Sequence, residues 1–324
     1  MAVLQAITQL LGYATLASLS YHSLVSIWIY FLRPSSLARY LHAQPSSWAL
    51  VTGASDGIGR SVAEELLRRG FNVFLHGRNE NKLAERRASL LKTYPGRRIE
   101  LVVVDASQPN IDFDAIVTQV KAVEGKLTVL VNNVGGMATY PQYLPLDEAP
   151  PKDLDVCMAI NTHFPTRLIA ALLPELKANK PSLVINCGSN AGEFGVPYIT
   201  TYSGTKAHMH VLSMALQSEL KAQRIHDVEV MGVLIGNTAT AGNKTHMAGG
   251  TITAGECAKG MLDRVGCEYS TALQLTQYRL LLTVHRWPSL SCSALATLAG
   301  RWIRESDPRC FPCFGLRWRD AEAI

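Results

Sequence analysis

Three residues with the chemistry of proton transfer lie close together in the sequence. Tyr202 and Lys206 belong to the run Tyr-Ser-Gly-Thr-Lys, and Ser189 precedes the tyrosine by thirteen residues. Residues four apart share one face of a helix, so we expect the ammonium group of Lys206 beside the phenol of Tyr202. A nearby cation favours the phenolate and makes the phenol a stronger acid. Ser189 could hold a substrate oxygen while Tyr202 exchanges its proton, which predicts hydride transfer at a carbonyl or alcohol carbon.

The elements that must position these residues alternate between short apolar runs and amphipathic helices from about Ser46 onward. This alternation predicts a parallel sheet with right-handed crossover helices. The residues of interest follow the strands directly, at the edge where open parallel sheets bind ligands. The predicted strands are Trp48–Val51, Phe71–His76, Ile99–Val104, Leu127–Val131, Leu183–Cys187 and Val228–Leu234, and the predicted helices are Arg60–Arg69, Asn79–Tyr94, Asp112–Glu124 and Tyr202–Gln223.

A glycine turn with the sequence Thr-Gly-Ala-Ser-Asp-Gly-Ile-Gly, at 52–59, joins the first predicted strand to the first predicted helix. Glycines permit a tight turn and a close approach of the backbone to a pyrophosphate, and the helix N-terminus adds unpaired N–H groups and a positive dipole end. Because the turn follows a strand and opens a helix within a βαβ unit, we expect it to bind a dinucleotide.

The residue after the second predicted strand favours NADP(H) as that dinucleotide. An NAD enzyme carries an acid there for the ribose 2′-hydroxyl, whereas this chain has Arg78, nineteen residues after Gly59. A guanidinium suits a 2′-phosphate. Arg60 is a second candidate for this contact, the alternative being a solvated first-turn arginine. Asp105 could accept a hydrogen bond from the adenine amino group, the alternative being a plain strand-end aspartate.

The N-terminal segment predicts a membrane anchor. Residues 2–32 contain no Asp, Glu, Lys or Arg, and an apolar helix of this length can cross about 30 Å of hydrocarbon. Trp28 and Tyr30 beside Arg33 resemble an interfacial belt whose positive side follows the helix, which would place the rest of the chain in the cytosol. The alternative is a buried or interfacial helix, because polar residues dilute the segment.

Composition argues against several other classes of protein and site. The net charge is +5 and basic residues are spread along the sequence, so no nucleic-acid partner is indicated. Seven irregularly spaced cysteines favour a reducing compartment over a disulfide framework. The isolated pair Cys310 and Cys313 is interpreted as incidental or as an acylation site near a membrane. His208 and His210 face different sides of a helix, and no metal site is expected.

Together these motifs resemble the short-chain dehydrogenase/reductase family over roughly residues 46–265. The resemblance rests on T-G-x-x-x-G-I-G at 52–59, N-N-x-G at 132–135, Asn161, Ser189 and Y-x-x-x-K at 202–206. It implies that Tyr202 donates the proton, that Lys206 makes Tyr202 more acidic and binds the nicotinamide ribose, that Ser189 orients the substrate, and that Asn161 holds a proton-relay water. The predicted cofactor contacts are Gly53, Ser55, Asp56, Gly57, Ile58, Gly59, Arg78, Asp105, Asn132, Asn133, Gly135, Tyr202, Lys206, Ile235, Thr238 and Thr240, the last three from a loop that lacks the family's usual proline.

Within the family, the motif wording and the N-terminal segment are similar to the microsomal very-long-chain 3-oxoacyl-CoA reductases and 17β-hydroxysteroid dehydrogenases. That resemblance implies NADPH, the endoplasmic reticulum membrane and a catalytic domain facing the cytosol; homodimers are usual in the family. We expect an anchor and linker at 1–45, a Rossmann-type doubly wound parallel α/β domain at 46–265, and a helical C-terminal extension at 266–324. This extension could cover the pocket, lie along the membrane or replace the final strand.

The predicted activity is NADPH-dependent reduction of a hydrophobic ketone, such as a 3-oxoacyl-CoA, a steroid, or a polyketide- or terpenoid-like compound. The alternatives are oxidation of a secondary alcohol by the same residues and a non-catalytic NADP-binding scaffold. A hydrolase is not indicated, because the sequence contains no G-x-S-x-G nucleophile elbow.

Overall fold

The computed structural model describes residues 1–28, 32–42, 46–137, 143–243 and 251–266. One sheet contains β1 Ser47–Val51, β2 Asn72–Gly77, β3 Ile99–Val103, β4 Lys126–Asn132, β5 Ser182–Ser189 and β6 Val228–Ile235, and a short pair contains β7 Thr238–Ala239 and β8 Ile252–Thr253. The helices are α1 Ala2–Ile27, α2 Gly57–Arg68, α3 Glu80–Thr93, α4 Phe113–Lys121, α5 Pro151–Met158, α6 Phe164–Ala178, α7 Ala191–Phe194, α8 Thr200–Ala222 and α9 Ala254–Leu262. Short 3₁₀ turns occur at Leu37–Tyr40 and Leu146–Glu148, and a π turn at Ala159–His163 joins α5 to α6.

The six long strands run parallel in the order β3-β2-β1-β4-β5-β6. Helices α2, α3 and α9 pack on one face of the sheet, and α4, α6 and α8 pack on the other. Every residue of β1 and β2 is buried, as expected for parallel strands that are covered on both faces. The predicted Rossmann-type doubly wound sheet is therefore confirmed.

Polar caps determine where the helices after the strands begin. The carboxylate of Asp56 accepts a hydrogen bond from the N–H of Gly57 at 2.8 Å, so α2 begins at Gly57 and not at the predicted Arg60. Asn79 and Asp112 cap α3 and α4 in a similar way. These caps place three helix N-termini at the carboxyl edge of the sheet, which is the edge where the six strands end.

The linker that follows α1, residues 33–42, lies along the opposite edge of the sheet. The hydroxyl of Ser35 donates to the carbonyl of Leu262, at the end of α9. The side chain of Tyr40 is buried, and its hydroxyl donates to Glu229 near the start of β6. The linker is therefore bound to the amino edge, where the strands begin.

Helix α1 is apolar and exposed, with exposed fractions of 70% at Leu10 and 66% at Leu24. A transmembrane helix at this position stays a prediction. In the described part of the chain, the helical stretch that is long and apolar enough to cross a membrane is Pro151–Ala178, and 44% of its apolar window is buried. That stretch contributes Phe164 and its neighbours to the core, so we interpret it as a core segment. The predicted C-terminal extension, including Cys310 and Cys313, lies outside the described residues apart from Gly266.

Candidate active site

The predicted site residues converge on the carboxyl edge of the sheet. Strand order reverses between β1 and β4, and such a switch point opens a crevice for a ligand in doubly wound folds. The glycine turn follows β1, Asn133 follows β4, and Ser189 ends β5.

The glycine turn is held by the residues that follow β4. The hydroxyl of Thr52 accepts hydrogen bonds from the N–H groups of Asn133 and Val134, at 2.9 and 3.0 Å. The amide of Asn133 donates to the carbonyl of Thr52 at 2.9 Å and to that of Gly53 at 3.4 Å. Gly53 and Gly57 have φ angles of 66° and 56°, which few residues other than glycine adopt. The conformation of the turn is therefore held by contacts within the protein.

Asn132 differs from its neighbour. Its side chain is buried and donates to the amide oxygen of Asn186 in β5 at 2.9 Å, and Asn186 donates to Ser213 in α8. The side chain of Asn132, a predicted cofactor contact, thus ties β4 to β5 and α8, and Asn133 is the asparagine that reaches the glycine turn.

The loop after β6 closes over the turn from the other side. A Cβ atom built on Gly57 would lie 3.3 Å from the methyl carbon of Thr240. Ile235 ends β6 opposite Ser189, and its carbonyl accepts a hydrogen bond from the N–H of Asn190. Thr238 is buried in the β7–β8 pair. These three predicted cofactor contacts therefore line the same edge as the catalytic candidates.

Charged groups gather beside the turn at the ends of β2 and β3. Asp105 accepts hydrogen bonds from the N–H and the hydroxyl of Ser107, at 3.0 and 2.8 Å. Partial burial opposes the ionisation of Asp105, but these bonds and the nearby Arg78 hold the pKa of its carboxyl below the usual value. Arg86 in α3 was not predicted as a site residue; its Nε donates to the carbonyl of Ser55 at 3.2 Å. Its guanidinium group therefore lies on the flank of the glycine turn.

A buried histidine supports the turn from below. Nδ1 of His76 accepts a hydrogen bond from the N–H of Gly53 at 3.4 Å, and the imidazole stacks on Phe164 with ring centroids 4.9 Å apart. Among the described residues, no hydrogen-bond partner is found for its Nε2. Burial, partly offset by the attraction of Asp105, lowers the pKa of His76 to about 4. The imidazole is therefore neutral at physiological pH, as an acceptor for Gly53 must be.

We expect this histidine to make the folded protein less stable in acid. Its pKa rises to the ordinary value of about 6.5 on unfolding, so the free energy of unfolding should fall as the pH drops from about 6.5 to 4, by about 3 kcal/mol in total. His76→Gln should flatten this dependence, whereas replacement of the exposed His226 by Gln should leave it unchanged. Urea denaturation at several pH values measures the effect. Parallel curves for wild type and His76→Gln would contradict the assignment.

The catalytic candidates meet at the buried end of Lys206. Its Nζ donates to the carbonyl of Cys187 at 3.0 Å and lies 5.6 Å from the ring centroid of Tyr202. Lys206 is buried, with an exposed fraction of 5%. A Cβ atom on Gly135 would lie 3.0 Å from this Nζ and 2.5 Å from Oδ1 of Asn161. Lys206, Gly135 and Asn161 therefore adjoin one another.

Asn161 lies in the π turn between α5 and α6. Its amide donates to the carbonyls of Gly136 and Cys157, at 2.8 and 2.9 Å, and its oxygen accepts the N–H of Gly136 at 3.1 Å. Since the side chain fixes the Gly136 segment, the main-chain carbonyls of the widened turn are the better candidates for holding a water. The predicted proton-relay role of Asn161 stays a prediction.

Ser189 is positioned by the short helix α7. Its Oγ accepts a hydrogen bond from the N–H of Ala191 at 3.2 Å. Gly192 allows α7 to approach α8 closely, since a Cβ atom there would lie 2.5 Å from the carbonyl carbon of Lys206. The sequence pattern did not identify Gly192, because its contact with Lys206 joins two separate helices, α7 and α8.

An apolar cleft opens beside Tyr202. Its lining includes Met137, Leu144, Leu154, Tyr198 and Ile199, together with Cys157 and Asp153. The arrangement presents a phenol, backed by a buried ammonium group, to a hydrophobic surface. It can therefore donate a proton to the oxygen of a compound held in the cleft.

The chain is similar in sequence to known proteins. The family model of short chain dehydrogenases matches residues 47–249. A very-long-chain 3-oxoacyl-CoA reductase of Caenorhabditis elegans is 32% identical over 270 residues, covering 82% of this chain and 84% of that protein. A very-long-chain 3-oxoacyl-CoA reductase of Coccidioides immitis is 32% identical over 220 residues, covering 68% of this chain and 61% of that protein.

Solved structures share the fold. A short-chain dehydrogenase from Sphingobium yanoikuyae in complex with NADPH superposes with a TM-score of 0.61 at 24% identity, covering 86% of this chain and 98% of that one. A 7β-hydroxysteroid dehydrogenase superposes with a TM-score of 0.65 at 21% identity, covering 76% and 93%.

Proposed function

Since the chain belongs to the short chain dehydrogenase family, and is an oxidoreductase of that family, we propose that it is an NADPH-dependent ketoreductase for a hydrophobic substrate. The observation that carries this proposal is the buried Nζ of Lys206, 5.6 Å from the ring of Tyr202, which itself lines an apolar cleft.

The residues present fit NADPH. Gly53 and Gly57 have positive φ angles, and a Cβ atom at Gly59 would clash with the turn. These three positions therefore offer backbone without side chains at the N-terminus of α2, where phosphates bind. Arg78 and Arg86 supply positive charge beside this turn for a 2′-phosphate. When bound there, NADPH supplies the hydride. Complexes with NADPH among proteins of the same fold are consistent with this choice.

In the reaction, Tyr202 donates its proton to the substrate oxygen as negative charge develops on it. The hydroxyl of Ser189 donates a second hydrogen bond to the same oxygen. Lys206 stabilises the phenolate that is left, and the π turn around Asn161 holds the water that returns the proton. The same residues could run the reaction towards oxidation of an alcohol.

A 3-oxoacyl-CoA or a steroid-like ketone is the substrate class that we propose. Both relatives named above are 3-oxoacyl-CoA reductases, and the apolar lining of the cleft suits an acyl chain or a fused ring system. We also propose that α1, 26 residues long and exposed, anchors the chain in the endoplasmic reticulum membrane, with residues 46–265 as the cytosolic catalytic domain. A homodimer and a separate role for 266–324 stay predictions.

The test is NADPH oxidation by the detergent-solubilised full chain against long-chain 3-oxoacyl-CoA, steroid and polyketide-like ketones. Turnover on one of these classes would support the ketoreductase and identify its substrate class. Tight NADPH binding without turnover on any of them would favour the non-catalytic scaffold.

Arg78→Ala should weaken NADPH binding and leave NADH binding nearly unchanged. Loss of a charge-assisted bond to a phosphate lowers affinity by about 10- to 100-fold, and NADH carries no 2′-phosphate. Arg86→Ala should act in the same direction. Fluorescence titration with both cofactors measures the ratio of affinities.

The matched control is Arg87→Ala, because Arg87 lies on the same helix as Arg86 and faces Glu100, 3.9 Å away. It should leave the ratio of affinities unchanged. An unchanged ratio in Arg78→Ala as well would show that the assignment of the 2′-phosphate to this region is wrong.

A further inference from the structure

We propose that the amino edge of the sheet is a membrane-facing surface that binds anionic lipid headgroups, so that the active site opens away from the bilayer. The proposal rests on the membrane anchor put forward above, and two observations support it: the position of the linker and the distribution of charge between the two edges.

The linker fixes where the anchor leaves the domain. The N–H of Ser36 donates to the carbonyl of Val265 at 3.0 Å, and Arg39 pairs with Asp227 at 2.6 Å. His42 contacts the carbonyl of Pro181, just before β5. Each of these contacts lies where strands begin or where α9 ends. A bilayer that holds α1 must therefore lie on the amino side of the sheet.

The charge of this edge suits an anionic leaflet. The amino edge is defined here as the described residues 32–42, 46, 69–71, 94–98, 122–125, 179–181, 223–227 and 263–266. These segments carry eight Lys or Arg and three Asp or Glu. Each of the three acids is paired with an arginine of the same edge, in the pairs Arg39–Asp227, Arg69–Asp263 and Arg98–Glu124. The net charge of the amino edge is therefore +5.

The carboxyl edge has the opposite sign. The described connections that leave the six strands carry one Lys or Arg and five Asp or Glu; they are 52–56, 78–79, 104–112, 133–137, 143–150, 190, 195–199, 236–237, 240–243 and 251. Helix N-termini favour acids and helix C-termini favour cations, and the counts include four charged cap residues, Asp56, Arg69, Asp112 and Asp263. Without these four, the amino edge carries seven Lys or Arg and two Asp or Glu, and the carboxyl edge carries one and three, so capping alone does not produce the difference. The basic residues are far apart in the sequence and meet because the strands are parallel.

The two edges are separated by the length of the strands. β5 has eight residues, which span about 26 Å at about 3.3 Å per residue. Anionic lipids attract basic residues near the surface, and this attraction fades within about 10 Å. The amino edge therefore lies within reach of the headgroups, and the cleft beside Tyr202 faces the aqueous side.

The experiment compares four exposed lysines of the full chain during reaction with a water-soluble acetylating reagent. Lys180 lies on the amino edge and Lys221 in the last turn of α8 beside it, whereas Lys82 and Lys152 begin helices at the carboxyl edge. Phosphatidylserine vesicles should slow acetylation of Lys180 and Lys221 at least about threefold relative to detergent, with Lys82 and Lys152 unchanged. High salt should reduce the protection, since the attraction is electrostatic. Peptide mass spectrometry reads each site.

Three results would overturn the proposal. They are equal protection of all four lysines, greater protection of Lys82 and Lys152, and protection by duplex RNA in place of vesicles. The double variant Lys180→Glu/Arg224→Glu should lower the protection of Lys221, whereas Lys152→Glu should not. Alkaline carbonate extraction tests the anchor separately. Release of the chain by carbonate would reject the anchor, while the lysine protection on added vesicles would still decide whether this surface binds lipid.

Discussion

Tyr202→Phe should lower NADPH-dependent turnover by about 10²- to 10⁴-fold, the range that general acid catalysis contributes. The variant keeps the ring over Lys206 and removes only the hydroxyl that would donate the proton. Lys206 keeps its hydrogen bond to the carbonyl of Cys187, so the site should stay folded. NADPH affinity should fall far less than turnover, because Tyr202 is one of many predicted cofactor contacts and its hydroxyl is proposed to act on the substrate oxygen.

The measurement pairs kcat on the best ketone with an NADPH titration of the same preparation. Tyr94→Phe is the matched control, because it removes one hydroxyl from a residue just before β3, at the amino edge. It should retain full turnover. Turnover by Tyr202→Phe at the wild-type rate would reject Tyr202 as the proton donor.

The sheet could be predicted from the sequence because each strand is a short apolar run that is bounded by turn residues. All six predicted strands lie within one or two residues of β1 to β6. Helices α5 and α6 were not predicted. Pro165 and Pro174 lie within this region, and the π turn shifts the helical period between the two helices. The 3.6-residue pattern on which such predictions depend is therefore broken there.

At the site, local spacing predicted well and contacts between distant segments did not. The four-residue spacing placed Lys206 beside Tyr202, as the 5.6 Å distance confirms. Which of two adjacent asparagines faces the glycine turn depends on where β4 ends, and the sequence did not separate Asn132 from Asn133. Arg86 reaches Ser55 across 31 positions, and this contact exists only once α3 has packed beside α2.

The second large effect is expected for Gly59→Ala, a substitution in the glycine turn. In an ordinary helix this change would stabilise the protein by roughly 0.5–1 kcal/mol, because alanine loses less backbone entropy on folding. At Gly59 the new Cβ atom would lie 2.3 Å from the carbonyl oxygen of Gly53 and 2.4 Å from Nδ2 of Asn133. Neither atom can move freely, since Asn133 also holds Thr52.

The clash should therefore outweigh the entropy gain and make the change in stability unfavourable. We expect the turn to open, NADPH affinity to fall at least about 100-fold, and stability to fall by about 1–3 kcal/mol. Gly255→Ala is the matched control: it lies in the first turn of α9, where the nearest atom to a new Cβ is 4.0 Å away. That variant should bind NADPH normally and be slightly more stable. NADPH titration and thermal unfolding of both variants separate the two outcomes. If Gly59→Ala bound NADPH within about threefold of wild type, the close approach of α2 to β1 would not be needed to hold the phosphates. That result would contradict the role given to this turn.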